Sequence, residues 1–397
     1  MNKVKEFAKV LISSILIILI ISLSTELLVR VHFRMSNGEW PVTMNSAIEE
    51  AMKSSKSLFI EHGILPFVLH PGISTKYMNT FLRINSCGFR GNELAPSSSL
   101  RVLVVGGSTT FDTGVTDDEA TWCMQLQKAL QSAYPGLEVI NAGLPVYCLW
   151  GNYVKYILYD HQVRPDIVLI FQGVNDLTPW WAKALSGLLR EDYWGYRGVT
   201  SREWSGLQGR FSPQPYRGKL MEWMSRSVLV TGAHNKRGGG GNIFANMELA
   251  STIQEAAPDS QLEKNLAILR YFVTSLRAEG VIPVFVPQWL GAPTRKNVSQ
   301  NYPVWISSLD KLNGAYLSLC REMGVKTIDL REEITGWDDA YFQDFLHFSD
   351  RGALEFASAI AGHLGAEADV QEKYRFYQAN PPVRPVKIDV LGRNIPM

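Results

Sequence analysis

Three short apolar runs, each followed by a turn rich in small and polar residues, constrain this chain most. They are Leu100–Val105, Leu137–Ile140 and Asp166–Phe171. The first leads into Gly106-Gly107-Ser108-Thr109-Thr110, the second into Asn141-Ala142-Gly143, and the third into Gly173-Val174-Asn175-Asp176. Continuous apolar character over so few residues suits strands buried on both faces. Helical patterns separate them, at Asp118–Ser132 and Asn152–Gln162; in the first, Trp122, Leu126 and Leu130 share a face. The alternation resumes with a helix over Gln261–Glu279, a strand over Val281–Val286, a helix over Leu309–Met323, a strand over Lys326–Leu330 and a last helix over Ser349–Leu364. Strands alternating with helices imply an α/β fold with a parallel sheet covered on both sides. In such a sheet the turns after successive strands meet at one edge, where ligands bind.

Those turns carry chemistry-bearing residues. Ser108 follows a strand and precedes a helix, so its Oγ is presented at the sheet edge. A serine needs a base to act as a nucleophile at neutral pH. The same strand–Gly-Gly-Ser–helix element could hold a phosphate, but no P-loop Lys follows it. Gly143 is either a tight turn or a backbone N–H aimed at a developing oxyanion. Asn175 is either an Asx-type turn residue or a second oxyanion donor. Asp176 reads as a turn residue or a group that shapes the site. Near the C-terminus, Asp344 and His347 stand three apart in Asp344-Phe345-Leu346-His347. His347 can take a proton from Ser108 and return it to a leaving alcohol. Asp344 can orient the imidazole and stabilise its charged form. A loop histidine can also be purely structural; the other six histidines lack this context.

The chain has 397 residues and a formal net charge of +1, and 46% of its residues are hydrophobic. That is ample for a core and gives no electrostatic footprint for nucleic acid. Cys87, Cys123, Cys148 and Cys320 are scattered without a CxxC pair, which argues against a zinc site and leaves any disulfide pairing open. The N-terminus locates the protein. Lys3, Lys5 and Lys9 precede a largely apolar stretch from Val10 to Thr25 that resumes at Leu27–Val31. About 20 apolar residues can cross a bilayer, and flanking cations stay inside. The expectation is a single-pass anchor over 1–31 in the cytoplasmic membrane, with the N-terminus inside and the remaining chain periplasmic or extracellular. A cleaved signal peptide and a buried helix are the alternatives, but no small-residue cleavage site follows the run.

Residues 32–98 are expected to be a juxtamembrane segment packing on the core. They include the turn-like Asn85-Ser86-Cys87-Gly88-Phe89-Arg90-Gly91 and end in a Pro96-Ser97-Ser98-Ser99 linker. The core domain is expected over 99–177 and 259–368, with a tail over 369–397 that from Tyr374 on is Pro-containing and polar and shows no obvious element. The interruption at 178–258 holds Trp180, Trp181, Trp194, Trp204 and Trp223, five of the eleven tryptophans. These aromatics could stack on a sugar or an acyl chain, as a lid or substrate-binding insertion, or form the insertion's own small core.

The four blocks in their order resemble the Ser, Gly, Asn and His blocks of the SGNH/GDSL hydrolase family. Ser108, Gly143, Asn175 and His347 match its signature positions, and Asp344 matches the acid three before the histidine. The chain is also similar to membrane-anchored bacterial members that carry an Asn-x-x-Gly-Phe-Arg-Gly stretch, here Asn85 to Gly91. One position differs: the family's Gly-Asp-Ser is Gly106-Gly107-Ser108. The resemblance implies a flavodoxin-like three-layer α/β/α fold. It also implies ester hydrolysis through an acyl-enzyme, with Ser108, Asp344 and His347 as the triad. The Ser108 and Gly143 N–H groups and the Asn175 amide would form the oxyanion hole, and no metal or organic cofactor is needed. With the expected location and the tryptophans, the substrate expected is an O-acylated, in the first place O-acetylated, glycan. Acyl transfer by the same triad and a non-catalytic glycan-binding or assembly role are the rival readings.

Overall fold

The computed structural model describes residues 58–177, 259–291, 302–334, 336–337 and 340–388, less 61, 63, 66, 78 and 79. Within the first 57 residues it describes 13, 14, 17, 23–32, 34 and 35. The chain divides into two compact units, 1–53 with 205–247 and 54–204 with 248–397. In the first, residues 23–32 are helical, and Arg30 Nε donates to Glu26 across one turn at 2.8 Å. Much of the expected membrane span and the whole 178–258 insertion lie outside the described residues. No helix among the described residues is long and apolar enough to cross a membrane.

The second unit opens with two small antiparallel ladders. Strand β1 (Phe59–Ile60) pairs with β2 (Val68–Leu69), and β3 (Ser74–Tyr77) with β4 (Thr80–Arg83). The main sheet has five parallel strands: β5 (Arg101–Gly106), β6 (Glu138–Asn141), β7 (Ile167–Gln172), β8 (Ile282–Pro287) and β9 (Lys326–Thr327). Their spatial order is β6-β5-β7-β8-β9. This is the second-first-third-fourth-fifth order of a flavodoxin-like sheet, whose topological switch lies between its first and third strands. Here that crevice opens between β5 and β7, the strands that lead to Ser108 and Asn175.

Every residue of β5 and β7 is buried. Alternation puts Val102, Val104, Leu169, Phe171, Val284 and Val286 in one core with Trp122, Leu126, Phe356 and Ile360. The helices of this layer are α2 (Trp122–Gln131) and α6 (Asp350–Gly365), after the one-turn α1 (Ser108–Phe111). Helices α3 (Leu149–Leu158), α4 (Asp259–Ala278) and α5 (Tyr302–Met323) cover the other face. There Phe272 of α4 meets Tyr153 and Tyr156 of α3, and Tyr316 of α5 packs edge-on against Phe285. Burying such a side chain contributes about 1.5–3 kcal/mol, far more than the propensity of any one short element.

Several boundaries differ from the sequence reading for local reasons. The first long helix starts at Trp122 rather than Asp118, because Thr121 caps it by accepting from Met124 N–H. The Asp118 carboxylate is engaged elsewhere. Helix α3 starts at Leu149 rather than Asn152, because a buried carboxylate, Asp176, accepts the Leu149 N–H at 2.6 Å. Its expected end separates as a 3₁₀ turn, Asp160–Val163, with Asp160 paired to Lys155 at 2.6 Å. The tail forms an unexpected helix, α7 (Ala368–Ala379). Beyond it Arg384 returns to the sheet and pairs with Asp166. All four cysteines are buried, and none is in a disulfide.

Candidate active site

Ser108 is the first residue of α1, directly after Gly106 and Gly107. A four-residue helix has no stability of its own, so its neighbours hold it. Thr109 Oγ1 accepts from Gln288 Nε2 at 2.5 Å, and Thr109 O from Trp122 Nε1 at 2.9 Å. A Cβ on Gly106 would fall 2.1 Å from Thr110 Oγ1 and 2.5 Å from Phe171 O, so only glycine lets the chain turn there. At the other end Asp112 takes the left-handed conformation, φ 70°, and its N–H donates back to Ser108 O at 2.7 Å.

His347 lies in a tight turn before α6. Gln343 N–H donates to His347 O at 2.8 Å and Ser349 N–H to Tyr341 O at 2.9 Å. Phe348, the next residue, stacks on Phe171 and fixes the turn against the core. His347 Nε2 is 2.8 Å from Ser108 Oγ, and Nδ1 is 2.8 Å from Asp344 Oδ2. With Asp344 as acceptor, Nδ1 carries the proton and Nε2 can accept from the serine hydroxyl. Asp344 Oδ1 accepts the N–H groups of Leu346 and His347 at 2.7 and 2.8 Å. Burial alone would raise the Asp344 carboxyl, but the His347 charge and these bonds hold it below its ordinary value. Burial likewise opposes a charge on His347. The charge and hydrogen bond of Asp344, with the more distant Asp112, overcome it and raise the imidazole above its ordinary value.

The candidate oxyanion donors border the same serine. Asn175, in the 3₁₀ turn after β7, lies so close over Gly107 that a Cβ there would be 2.0 Å from Asn175 Nδ2. One of its amide protons goes to Tyr147 O at 3.0 Å. The Ser108 N–H, first in its helix, has no intrahelical acceptor. Gly143 is pressed on α1, where a Cβ would come within 2.4 Å of Phe111 N. Its N–H donates to Asn141 Oδ1 at 3.1 Å. An oxyanion at Gly143 would therefore share or take over that bond. The structure thus brings Ser108, His347 and Asp344 into one hydrogen-bonded line and sets Asn175 and Gly143 beside it.

Two supports are absent from the sequence reading. The first is a buried polar layer beneath Asn175. Gln172 Nε2 donates to Tyr147 O and to Asp176 Oδ1, and Asn152 Nδ2 donates to Gln172 Oε1. Asp176 Oδ2 accepts from Tyr316 at 2.9 Å. Asp176 is thus a site-shaping group, and burial pushes its carboxyl up to about 6. Gln288 completes the layer, accepting the Val174 N–H at 2.8 Å. The second is Arg90, whose Nη1 donates to the carbonyls of Phe111 and Asp112 at the end of α1. A glutamine at a strand end and an arginine in a turn carry no sequence mark of these roles; the polar Gln172 closing an apolar run was the one available signal.

The model of the GDSL-like lipase/acylhydrolase family matches residues 104–354. Solved structures similar to the chain include a putative lipolytic protein of the G-D-S-L family from Desulfitobacterium hafniense DCB-2. It is 13% identical, covering 66% of this chain and 98% of that one at a TM-score of 0.37. The acetylxylan esterase Axe2 from Geobacillus stearothermophilus is 15% identical, covering 69% and 98% at a TM-score of 0.39. The acetyl xylan esterase AlAXEase is 14% identical, covering 67% and 100% at a TM-score of 0.38. No curated protein matches the sequence. On its family match the chain belongs to the GDSL-like lipase/acylhydrolase family and is a hydrolase of ester bonds.

Proposed function

We propose that this hydrolase works through an acyl-enzyme on Ser108, cleaving O-acyl, in the first place O-acetyl, esters of a glycan outside the cytoplasmic membrane. The carrying observation is the line Asp344–His347–Ser108, two hydrogen bonds of 2.8 Å each. Ser108 Oγ attacks the ester carbonyl while His347 Nε2 takes its proton. Asp344 holds the imidazolium so formed. The carbonyl oxygen, now negative, faces the Asn175 amide and the Ser108 and Gly143 N–H groups. Collapse of the tetrahedral species breaks the bond to the alkoxy oxygen, to which His347 returns the proton. Water then repeats the sequence on the acyl-enzyme and releases the acid.

The glycan and the location draw their support from the sequence. The 178–258 sequence carries five tryptophans, a residue type able to stack on a sugar ring. The Lys-flanked apolar N-terminus favours an anchor with the domain outside. The test is release of acetate from acetylated oligosaccharides by the full-length protein in detergent, beside Ser108→Ala. Ser108-dependent release is expected. Equal release by both proteins contradicts the proposal, and acetate appearing on a sugar acceptor instead of in solution assigns acyl transfer.

A further inference from the structure

Arg90, within the Asn85–Gly91 stretch, has no part in the mechanism above, yet its guanidinium is fully buried beside the serine helix. Its Nη1 donates to Phe111 O at 2.7 Å and Asp112 O at 2.9 Å, the carbonyls that end α1. Its Nε donates to Asp118 Oδ1 at 2.8 Å, and its plane lies 5.0 Å over the Phe111 ring. Asp118 is fixed in turn by the Arg83 N–H at 2.8 Å. A cation at the carboxyl end of a helix complements the unpaired carbonyls there.

We propose that Arg90 is a positioning residue that sets Ser108 against His347. This inference rests on the esterase reading above. The path is short: Arg90 holds the Asp112 carbonyl, and the Asp112 N–H holds the Ser108 carbonyl at 2.7 Å. The loop that follows also abuts the base. A Cβ on Gly114 would lie 2.2 Å from Phe348 O and 3.3 Å from His347 Cβ. Thr80 Oγ1 donates to Val115 O in the same loop. The segment 80–90 therefore clamps 111–115, whose two ends touch nucleophile and base. Lysine cannot reproduce this arrangement, because a single ammonium cannot face Asp118 and both carbonyls in the geometry of a planar fork.

The test is the rate at which a fluorophosphonate probe labels Ser108, with Arg90→Lys compared with the wild type well below both melting midpoints. Positioning predicts an inactivation rate at saturating probe lower by about 100-fold, the scale of a misplacement near 1 Å. The half-saturating probe concentration should stay within about twofold. A purely structural role moves the melting midpoint and leaves that rate alone. Wild-type labelling rates in Arg90→Lys overturn the proposal and leave the esterase reading intact. If Arg90→Lys does not fold, Asp118→Asn carries the same test, with slowed labelling in support and wild-type labelling against. Absence of Ser108-dependent labelling in the wild type overturns the esterase reading and the role of Arg90 with it.

Discussion

His347 Nε2 lies 2.8 Å from Ser108 Oγ, although 239 positions separate the two residues in the chain. The serine comes from the turn after the first strand of the parallel sheet and the histidine from the turn before α6. Their meeting is a consequence of strand order.

The pH dependence of kcat/KM should have an acidic limb above the value of about 6.5 for a free imidazole. His347 must be neutral to accept the serine proton, and Asp344 favours its charged form. Activity is therefore lost as pH falls through that limb. Asp344→Asn removes the stabilising charge, which should move the limb to lower pH and lower kcat by about 10⁴-fold. A pH–rate profile of both proteins checks this.

The same pair should mark the stability curve. Asp344, depressed in the folded state, contributes above its unfolded value, and this is lost as pH falls through its folded value. His347, raised in the folded state, contributes fully below its unfolded value, and this is lost as pH rises through its folded value. The pair thus stabilises most between about pH 4 and 6.5. Urea midpoints of the wild type and Asp344→Asn should differ most in that window.

Asn175→Ala should lower kcat by about 10²–10³, or about 2.7–4 kcal/mol of transition-state stabilisation, with little change in KM. Steady-state kinetics with p-nitrophenyl acetate measure it. A rate within a few-fold of wild type removes Asn175 from the oxyanion hole.

Gly107→Ala and Gly143→Ala should fail differently. At Gly107 the new Cβ meets a side-chain amide, Asn175 Nδ2, at 2.0 Å. The amide can swing away, so activity falls while the melting midpoint holds. At Gly143 the Cβ meets the backbone of α1, 2.4 Å from Phe111 N. Backbone must shift, so activity and melting midpoint fall together. Thermal melts beside kinetics separate the two.

Asp176, raised to about 6, sets a third pH signature. Its folded form binds a proton that the unfolded form has released, so stability declines as pH rises from about 4 to about 6, by about 3 kcal/mol in total. Asp176→Asn should flatten this decline. Guanidinium denaturation across pH 4–7 reads the difference.

The sheet was legible in the sequence because burial on both faces leaves continuous apolar runs such as Ile167–Phe171. The site was legible where a turn carries its own chemistry, as in the three-residue spacing of Asp344 and His347. The Asn85–Gly91 stretch was legible but the contacts of Arg90 in it were not, since two of its partners are the carbonyls of Phe111 and Asp112, which any residue could supply, and the third, Asp118, is 28 positions away. Helix α7 was missed because only Val370 in it is buried, which leaves a weak apolar stripe. The opposite ends of the polar layer, Asn152 and Tyr316, are joined only by the fold.

The central claim is that Ser108 becomes acylated. Its most direct test is rapid acid quenching of the full-length protein with p-nitrophenyl acetate, followed by intact and peptide mass spectrometry. The expected result is one acetyl group per chain, located on Ser108 and absent from Ser108→Ala, with a matching burst of p-nitrophenol. Turnover with no acetyl on Ser108, or the same acetylation in Ser108→Ala, would contradict it.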